Sequence, residues 1–281
     1  MNDQLDGDLE TARQIRTGLL PPSVLRFGQW EVAGCMVPLQ VAPRNSFDYF
    51  RLGDGCYAIW IAEVLCEAGR STQVVSDLHS SLRADALAHL SVPETMQRLN
   101  ESMAQSGAFA SVCYGEFDSE RRVLRYSRGG HPFPLLRRRD GSLVDLSEGG
   151  PLLGFLENVD YSAAELVIEV GDSLLLYCAG LTNALDPLNL GWGLDRLRAI
   201  WRRRGGIAPG EAIAAILADV QAFRDRALVG KIETFPTLAE AAGNPGLTHL
   251  GLLRMEAHQL RGRAAPLDEM TLVVLGMHEQ P

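Results

Sequence analysis

The chain has 281 residues, a formal net charge of −9 and 46% hydrophobic residues. This length suits one large domain or two small ones, and the apolar fraction is enough for a sizeable core. The acidic balance argues against nucleic acid as a partner, because binding its phosphates requires a clustered surplus of Lys and Arg.

Two short arginine runs stand out against this acidic background, at 137–139 and 202–204. The first precedes Asp140 and Gly141, a pair typical of a hairpin turn. The second ends a predicted helix, where cations are favoured by the negative end of the helix dipole. We therefore interpret both runs as solvated ends of secondary structure and not as binding patches.

The five cysteines form no Cys-x-x-Cys pair, and most of them lie inside apolar runs. An odd number without a framework spacing favours reduced, buried thiols in a cytoplasmic protein. No stretch approaches the roughly 18 apolar residues of a membrane span. The first ten residues are too polar and acidic for a signal peptide. We expect a cytoplasmic chain with no membrane partner.

The first predicted element is an amphipathic helix from Asp8 to Leu20, which Pro21 and Pro22 end. Its single apolar stripe must be buried against the main domain or against a partner helix. We accordingly divide the chain into a linker or dimerisation helix at 1–22 and a main domain at 23–281, and we expect a homodimer.

After the prolines, short apolar runs bounded by turn residues predict strands, and longer runs with helical periodicity predict helices. The predicted strands span 30–37, 46–52, 56–64, 108–117, 123–127, 134–138, 143–146, 166–169, 173–178 and 270–276. The predicted helices span 71–90, 93–105, 194–203 and 209–226. This order predicts an α+β domain of antiparallel sheets with helices on their outer faces. Residues 227–267 have the weakest pattern, which is typical of a functional or partly disordered insert.

Five motifs follow one another along the chain. They are Ala12-Arg13-Gln14-Ile15 with Leu19-Leu20-Pro21, Ser46-Phe47-Asp48 with Arg51-Leu52-Gly53-Asp54-Gly55, Gly129-Gly130-His131-Pro132, Gly171-Asp172 with Leu176 to Ala184, and Asp268-Glu269-Met270-Thr271. In this order they resemble the bacterial sporulation stage II E-type serine/threonine phosphatase domain, of the protein phosphatase 2C-like (PPM) class. The resemblance covers residues 10 to 276 except the insert. It implies an antiparallel β-sandwich flanked by helices, in α-β-β-α layers.

The activity that this resemblance implies depends on a pair of Mn²⁺ or Mg²⁺ ions. One carboxylate bridges the two ions, and the water that they hold attacks the phosphorus of a phosphoserine. Such hard cations take oxygen ligands, which explains why aspartates stand at the strand ends of the family's site.

The metal positions that the resemblance implies are depleted in this chain. Asn45 keeps an oxygen without a charge, Glu63 keeps a carboxylate at the bridging position, and Ala179 removes a ligand. Asp268 is unchanged and is followed by Glu269. Losing only the partner of a ligand lowers metal affinity about 10–100-fold, so a lost ligand should lower it at least as much. We therefore expect no pair of bound metal ions and assign no catalytic residue. Binding of a single ion by Glu63, Asp268 and Asn45 is left as an open alternative.

The remaining motif residues are interpreted as structural. Asp48 is expected to bond local backbone and His131 to hold a turn by a side-chain hydrogen bond. Gly180 and Glu269 are interpreted as structural residues of their motifs. Glu67 stands where the family has a histidine and is expected to face solvent. Cys66 has no cationic neighbour in sequence that would lower its thiol pKa, so we do not expect a reactive thiol.

The favoured hypothesis is a degenerate phosphatase that regulates a partner protein by binding it. The resemblance implies a partner such as a phosphoserine STAS-type antagonist of an anti-sigma factor, an adaptor client or a response regulator. The alternative is an active Mn²⁺- or Mg²⁺-dependent phosphoserine phosphatase with a rearranged site, using Glu63, Asp268 and a ligand from the insert such as Glu233 or Glu240. A third hypothesis is a scaffold that dimerises through the helix at 8–20.

Overall fold

Two antiparallel sheets organise the computed structural model, which describes residues 19–37, 44–186, 188–204, 206–226 and 269–277. In chain order the strands are β1 (Val24–Phe27), β2 (Trp30–Val37), β3 (Asn45–Arg51), β4 (Cys56–Leu65), β5 (Phe109–Asp118), β6 (Val123–Gly129), β7 (Leu135–Arg137), β8 (Leu143–Asp145), β9 (Ala164–Val167), β10 (Ser173–Tyr177) and β11 (Met270–Met277). The first sheet has the order β1-β2-β11-β10-β7-β8, and the second has the order β3-β4-β5-β6-β9.

Helices lie on the outer faces of both sheets. In the described residues they are α1 (Ser71–Leu87), α2 (Val92–Ser106), α3 (Ala179–Thr182), α4 (Leu194–Arg204) and α5 (Pro209–Arg226), with a 3₁₀ turn at Ala68–Arg70 before α1. A capping box begins α2: the Ser91 hydroxyl accepts the Glu94 N–H, and the Glu94 carboxylate accepts the Ser91 N–H at 2.9 Å. Gly107 ends α2 in the left-handed conformation, with φ at 64°.

The alternation of side chains along the strands builds three apolar cores. Ile59 and Ile61 of β4 point between the two sheets, whereas Trp60 packs in the core that α1 and α2 cover. In the first sheet, Leu174 of β10 joins the central core, and Leu175 packs with α4 and α5. The architecture is therefore four layers, α-β-β-α, and the predicted fold class is confirmed.

The predicted elements are largely confirmed, and β2 and α5 match residue for residue. The sequence does not predict β1, because Val24–Phe27 is a four-residue run that only a two-residue turn separates from β2. The helix predicted to reach residue 90 ends at Leu87, and His89 takes a left-handed φ of 55° that a continuing helix excludes.

Most other boundaries shift by one or two residues from the prediction. The strand predicted at 173–178 ends at Tyr177, and the chain turns directly into α3, which is too short to show a periodicity. The strand predicted at 166–169 lies at Ala164–Val167. Residues 1–18 and the insert at 227–267 lie outside the described residues, so the division at residue 22 and the expected homodimer stay predictions.

The structure allows two sequence predictions to be compared with it: buried, reduced cysteines and the lack of a membrane span. All five cysteines are free thiols; Cys113 and Cys178 are buried, but Cys35, Cys56 and Cys66 are only half-buried. The expectation of buried thiols is therefore wrong for these three. None of the helices in the described ranges combines the length and the apolar character that a membrane crossing requires.

The close approach of the two sheets at Gly34 gives a first prediction. A Cβ on this β2 residue would lie 2.8 Å from Phe47 Cδ2 and 3.0 Å from Tyr49 Cε1 of the facing sheet. We expect Gly34→Ala to lower the free energy of unfolding by about 1–3 kcal/mol, because an added carbon must displace two buried rings.

Urea unfolding measures this effect. The matched control is Gly53→Ala, since nothing lies within 4 Å of a Cβ at Gly53. The control should stay within about 0.5 kcal/mol of the wild type. Equal stability of the two variants would contradict the packing between β2 and β3.

Candidate functional site

The positions singled out in the sequence meet at one end of the sandwich, where the two sheets face each other. From the second sheet, Asn45 opens β3 and stands opposite Glu63 of β4 in the strand register. From the first sheet come Glu269, which directly precedes β11, and Ala179, the first residue of α3 after β10. Asp268 lies outside the described residues. The fold thus brings Asn45, Glu63, Ala179 and Glu269 together.

Glu269 is buried, and its carboxylate accepts hydrogen bonds from the backbone at the start of β3. Its Oε2 atom accepts the N–H groups of Arg44 and Asn45, each at 2.9 Å. Both donors begin the strand, and a buried N–H without an acceptor destabilises a fold by about 1–3 kcal/mol. One carboxylate oxygen therefore holds the start of the second sheet against the start of β11.

The Asn45 side chain extends the same network. Its Nδ2 donates to the backbone oxygen of Glu269 at 3.1 Å and to Thr271 Oγ1 at 3.0 Å. Its Oδ1 is buried and has no hydrogen-bond donor among the described residues. Asn45 thus uses its amide N–H groups to join β3 to β11.

Cys178 completes the network between β10 and β11. Its thiol donates to the Glu269 backbone oxygen and accepts the Thr271 N–H, both at 3.1 Å. Burial, together with a smaller contribution from the nearby Glu63 carboxylate, raises the pKa of this thiol to about 11. The thiol therefore stays protonated at neutral pH and is neither a thiolate nucleophile nor a thiolate ligand.

An open cleft of about 550 Å³ begins beside Glu63 and Ala179. Phe133 and Leu152 contribute apolar surface to it. Arg198 of α4 also lines the cleft, and its guanidinium pairs with the Asp145 carboxylate, with Nη2 at 2.6 Å from Oδ1. The remaining lining residues are Leu65, Ser111, Gly130, His131, Pro132, Tyr177, Thr182 and Leu194.

His131 is buried at the wall of this cleft and acts on local structure. Its Nδ1 lies 3.0 Å from the Ser111 hydroxyl, and its backbone oxygen accepts Arg128 Nη1 at 2.9 Å. Burial lowers the pKa of His131 from its usual 6.5 to about 3. The imidazole is therefore neutral at physiological pH, and the predicted side-chain hydrogen bond at this turn is confirmed.

Asp48 lies on the opposite face of the second sheet, away from the cleft. Its Oδ1 accepts the Tyr49 N–H at 2.7 Å, which confirms the expected bond to local backbone. Its Oδ2 accepts Arg83 Nη1 at 2.5 Å and lies 3.4 Å from His79 Nε2. Asp48 therefore ties β3 to α1 and takes no part in the site.

The other predicted positions are also placed by the fold. Gly180 is buried inside α3, so it continues a short helix and does not form an open turn. Glu67 is exposed, as expected, and Cys66 is half-buried beside it. Neither residue lines the cleft within the described part of the chain.

The described residues, which do not include Asp268, do not by themselves form a site for two divalent cations. No group of three or more His, Cys, Asp or Glu side chains in the described ranges is arranged to hold an ion. Mg²⁺ and Mn²⁺ require about six oxygen ligands each. Here Ala179 offers no side-chain oxygen, and one carboxylate oxygen of Glu269 already accepts two peptide protons. We derive no catalytic step through a metal.

The sequence did not reveal several residues that shape this region. Cys178 and Thr271 stand inside recognised motifs, but their mutual bond depends on the pairing of β10 with β11. Phe133 follows His131 closely, and its 41% exposure is unusual for a ring of that size. The pair of Arg198 with Asp145 joins positions 53 residues apart, and no local pattern signals it.

Comparisons with known sequences agree with the motif order. The family model described as Stage II sporulation protein E (SpoIIE) matches residues 53–230. Protein IcfG of Synechocystis sp. is 25% identical over 221 residues, which cover 68% of this chain and 35% of that protein. Phosphoserine phosphatase RsbU of Bacillus subtilis is 22% identical over 189 residues, covering 65% of this chain and 56% of RsbU. The chain thus spans about a third to just over half of these relatives.

Solved structures share the fold at low sequence identity. The SiaA-PP2C domain of Pseudomonas aeruginosa has a TM-score of 0.63 and 12% identity, covering 99% of this chain and 97% of that one. RsbX, solved in complex with magnesium, has a TM-score of 0.58 and 12% identity, covering 91% of this chain and 98% of that one. These similarities establish a PP2C-like fold and do not extend to the ligands of either neighbour.

The buried neutral His131 predicts a specific dependence of stability on pH. Between pH 6.5 and 3 the unfolded chain binds a proton at this position that the folded chain does not bind. Stability therefore falls as the pH decreases through this window. From pH 7 to pH 5, we expect His131 alone to account for a loss of about 2 kcal/mol.

Urea unfolding at both pH values tests this with His131→Asn, which cannot titrate. The other titrating groups are common to both proteins. Between pH 7 and pH 5 the variant should therefore lose about 2 kcal/mol less stability than the wild type. Equal losses in the two proteins would show that His131 is protonated in the fold.

Proposed function

The chain belongs to the stage II sporulation protein E (SpoIIE) family, and from that premise we propose that it regulates a partner protein by binding it, with its phosphatase chemistry lost. The observation that carries the proposal is the use of the Glu269 carboxylate. Its Oε2 accepts two peptide protons at 2.9 Å, from Arg44 and Asn45, at the place where the resemblance implies a metal site.

The neighbouring side chains support the loss of metal chemistry. The Asn45 amide donates two hydrogen bonds, to the backbone oxygen of Glu269 and to Thr271 Oγ1, and thereby joins β3 to β11 through a neutral group. The Cys178 thiol stays protonated because burial raises its pKa. Hydrogen bonds inside the protein thus take the place of the interactions that cations would otherwise supply.

The cleft beside Glu63 supports the binding half of the proposal. It is open, and Phe133 presents a ring that is 41% exposed at its wall. Arg128 lies over this ring with its guanidinium carbon 4.6 Å from the ring centre, which holds the ring in place. Fixed aromatic side chains beside a concave surface are typical of residues that dominate binding energy at protein interfaces.

The relatives suggest the chemical nature of the partner. RsbU is a phosphoserine phosphatase by name. We therefore infer that the cleft receives a regulatory protein of the phosphoserine STAS type, with a response regulator as the other class that the resemblance implies. The family fold would then serve recognition, since fold and catalysis are separable properties.

The absence of catalysis is tested by phosphate release. A phosphoserine peptide incubated with the purified chain in millimolar Mn²⁺ should release no more phosphate than with Glu63→Ala or Asp268→Ala. The physical reason is that in-line attack needs a metal-bound water, which the site cannot hold. Release that depends on Mn²⁺ and disappears in both variants would establish the alternative, an active phosphatase with a rearranged site.

The binding role is tested by calorimetry with a phosphoserine STAS-type protein. We expect binding without turnover, and Phe133→Asp should weaken it by about tenfold or more, because a charge replaces an aromatic contact. The matched control is Phe155→Asp, since Phe155 is 63% exposed but does not line the cleft. Equal weakening by both variants, or by neither, would contradict binding in the cleft.

A further inference from the structure

The fold brings together the two arginine runs, which are far apart in sequence. Leu135 of β7 packs in the core under α4 and α5, and Leu136 packs between the sheets. By the alternation of the strand, Arg137 points to the helix side. Its Nε donates to the backbone oxygen of Arg202, the first arginine of the second run, at 2.9 Å.

One arginine of the first run is neutralised. Arg138 points the other way and pairs with the buried Asp172 carboxylate, with Nη1 at 2.6 Å from Oδ2. The same carboxylate accepts the Arg139 N–H at 3.0 Å, so Asp172 fixes the backbone on which Arg139 stands. Asp140, the next acidic residue along the chain, accepts the Ser142 N–H at 2.8 Å.

We define the arginine surface as Arg137, Arg139, Arg202, Arg203 and Arg204. Within the described ranges, none of these side chains has a carboxylate within 4.0 Å, whereas Arg138 does. All of them are exposed except Arg137, which is half-buried. In a chain of net charge −9 this is a marked local excess of positive charge.

The helix dipole explains only part of this excess. The end of α4 carries roughly half a negative charge, which one guanidinium balances. Arg137 already fills that role through its bond to the Arg202 oxygen. The helix dipole therefore does not account for the other four guanidinium groups. One of them, Arg139, does not even belong to α4.

We propose that the arginine surface binds an acidic, Asp- and Glu-rich segment of a partner protein. Guanidinium groups pair with carboxylates through two parallel hydrogen bonds, which suits a cluster of exposed arginines. The net charge of the chain argues for a short segment: a long nucleic acid or a membrane surface would also meet the acidic remainder of the protein. A short acidic segment meets only the cluster.

This proposal does not depend on the function assigned to the cleft. None of the five arginines lines the cleft, which α4 borders instead through its first residue, Leu194, and through Arg198 near its middle. A charge change at the arginine surface can therefore be made without altering the cleft.

Fluorescence anisotropy of a labelled glutamate decapeptide at low salt tests the proposal. The wild type should bind the peptide, and binding should weaken as salt is added, because exposed charges are screened. Arg139→Glu/Arg203→Glu, which reverses one charge in each run, should weaken binding at least about tenfold, equivalent to roughly 1.4 kcal/mol. Each single Arg→Gln variant should give part of this loss.

The matched control is Arg51→Glu/Arg121→Glu, which lowers the net charge equally at two exposed positions elsewhere. It should change binding less than twofold, roughly the effect of distant screened charges. Equal losses in the two double variants would overturn the proposal, because net charge alone would then explain binding. A short duplex DNA or phosphatidylserine vesicles binding more tightly than the peptide at the same arginines would overturn it as well. Unchanged thermal unfolding confirms that each variant is folded.

Discussion

Two backbone N–H groups at the start of β3 constrain the whole site. They belong to Arg44 and Asn45, and a single carboxylate oxygen of Glu269 accepts both. The donor at Asn45 and its acceptor are 224 residues apart in sequence and lie in different sheets. Leaving the buried Asn45 donor without an acceptor would destabilise the fold by about 1–3 kcal/mol, so this carboxylate is committed to holding the sheets together.

Under the proposed function, this commitment is what lets a phosphatase fold persist without its metal chemistry. In an ion-dependent site, cations balance converging carboxylates at the end of the sandwich. Here the Asn45 amide and the Cys178 thiol bond to the backbone of β11 and to Glu269, and these are neutral groups. These bonds join strands of the two sheets at this end through groups of the protein itself, and in the proposed function the fold is kept apart from catalysis.

The sequence predicts the fold better than it predicts the site. Continuous apolar runs and turn signals identify elements such as β2 and α5, because burial on a strand or helix leaves a local pattern. The role of Glu269 leaves no such pattern: the motif places it among the structural residues, and only the structure shows that its carboxylate accepts the N–H groups at the start of β3. The arginine runs were interpreted separately for the same reason, since Arg137 and Arg202 meet only after β7 and α4 pack.

The helix α4 links the two surfaces that remain available for partners. It has 11 residues, so at 1.5 Å per residue its ends are separated by about 16 Å. Beside the cleft, Arg198 near the middle of α4 is neutralised by Asp145, whereas Arg202, Arg203 and Arg204 at its last turn have no such partner among the described residues. Positive charge therefore increases along α4 away from the cleft. A partner with an acidic segment would be attracted to the far end of the helix first, which leaves the apolar wall around Phe133 free for a second, uncharged part of the same partner. Joining two weak contacts in this way raises the overall affinity without any single strong site.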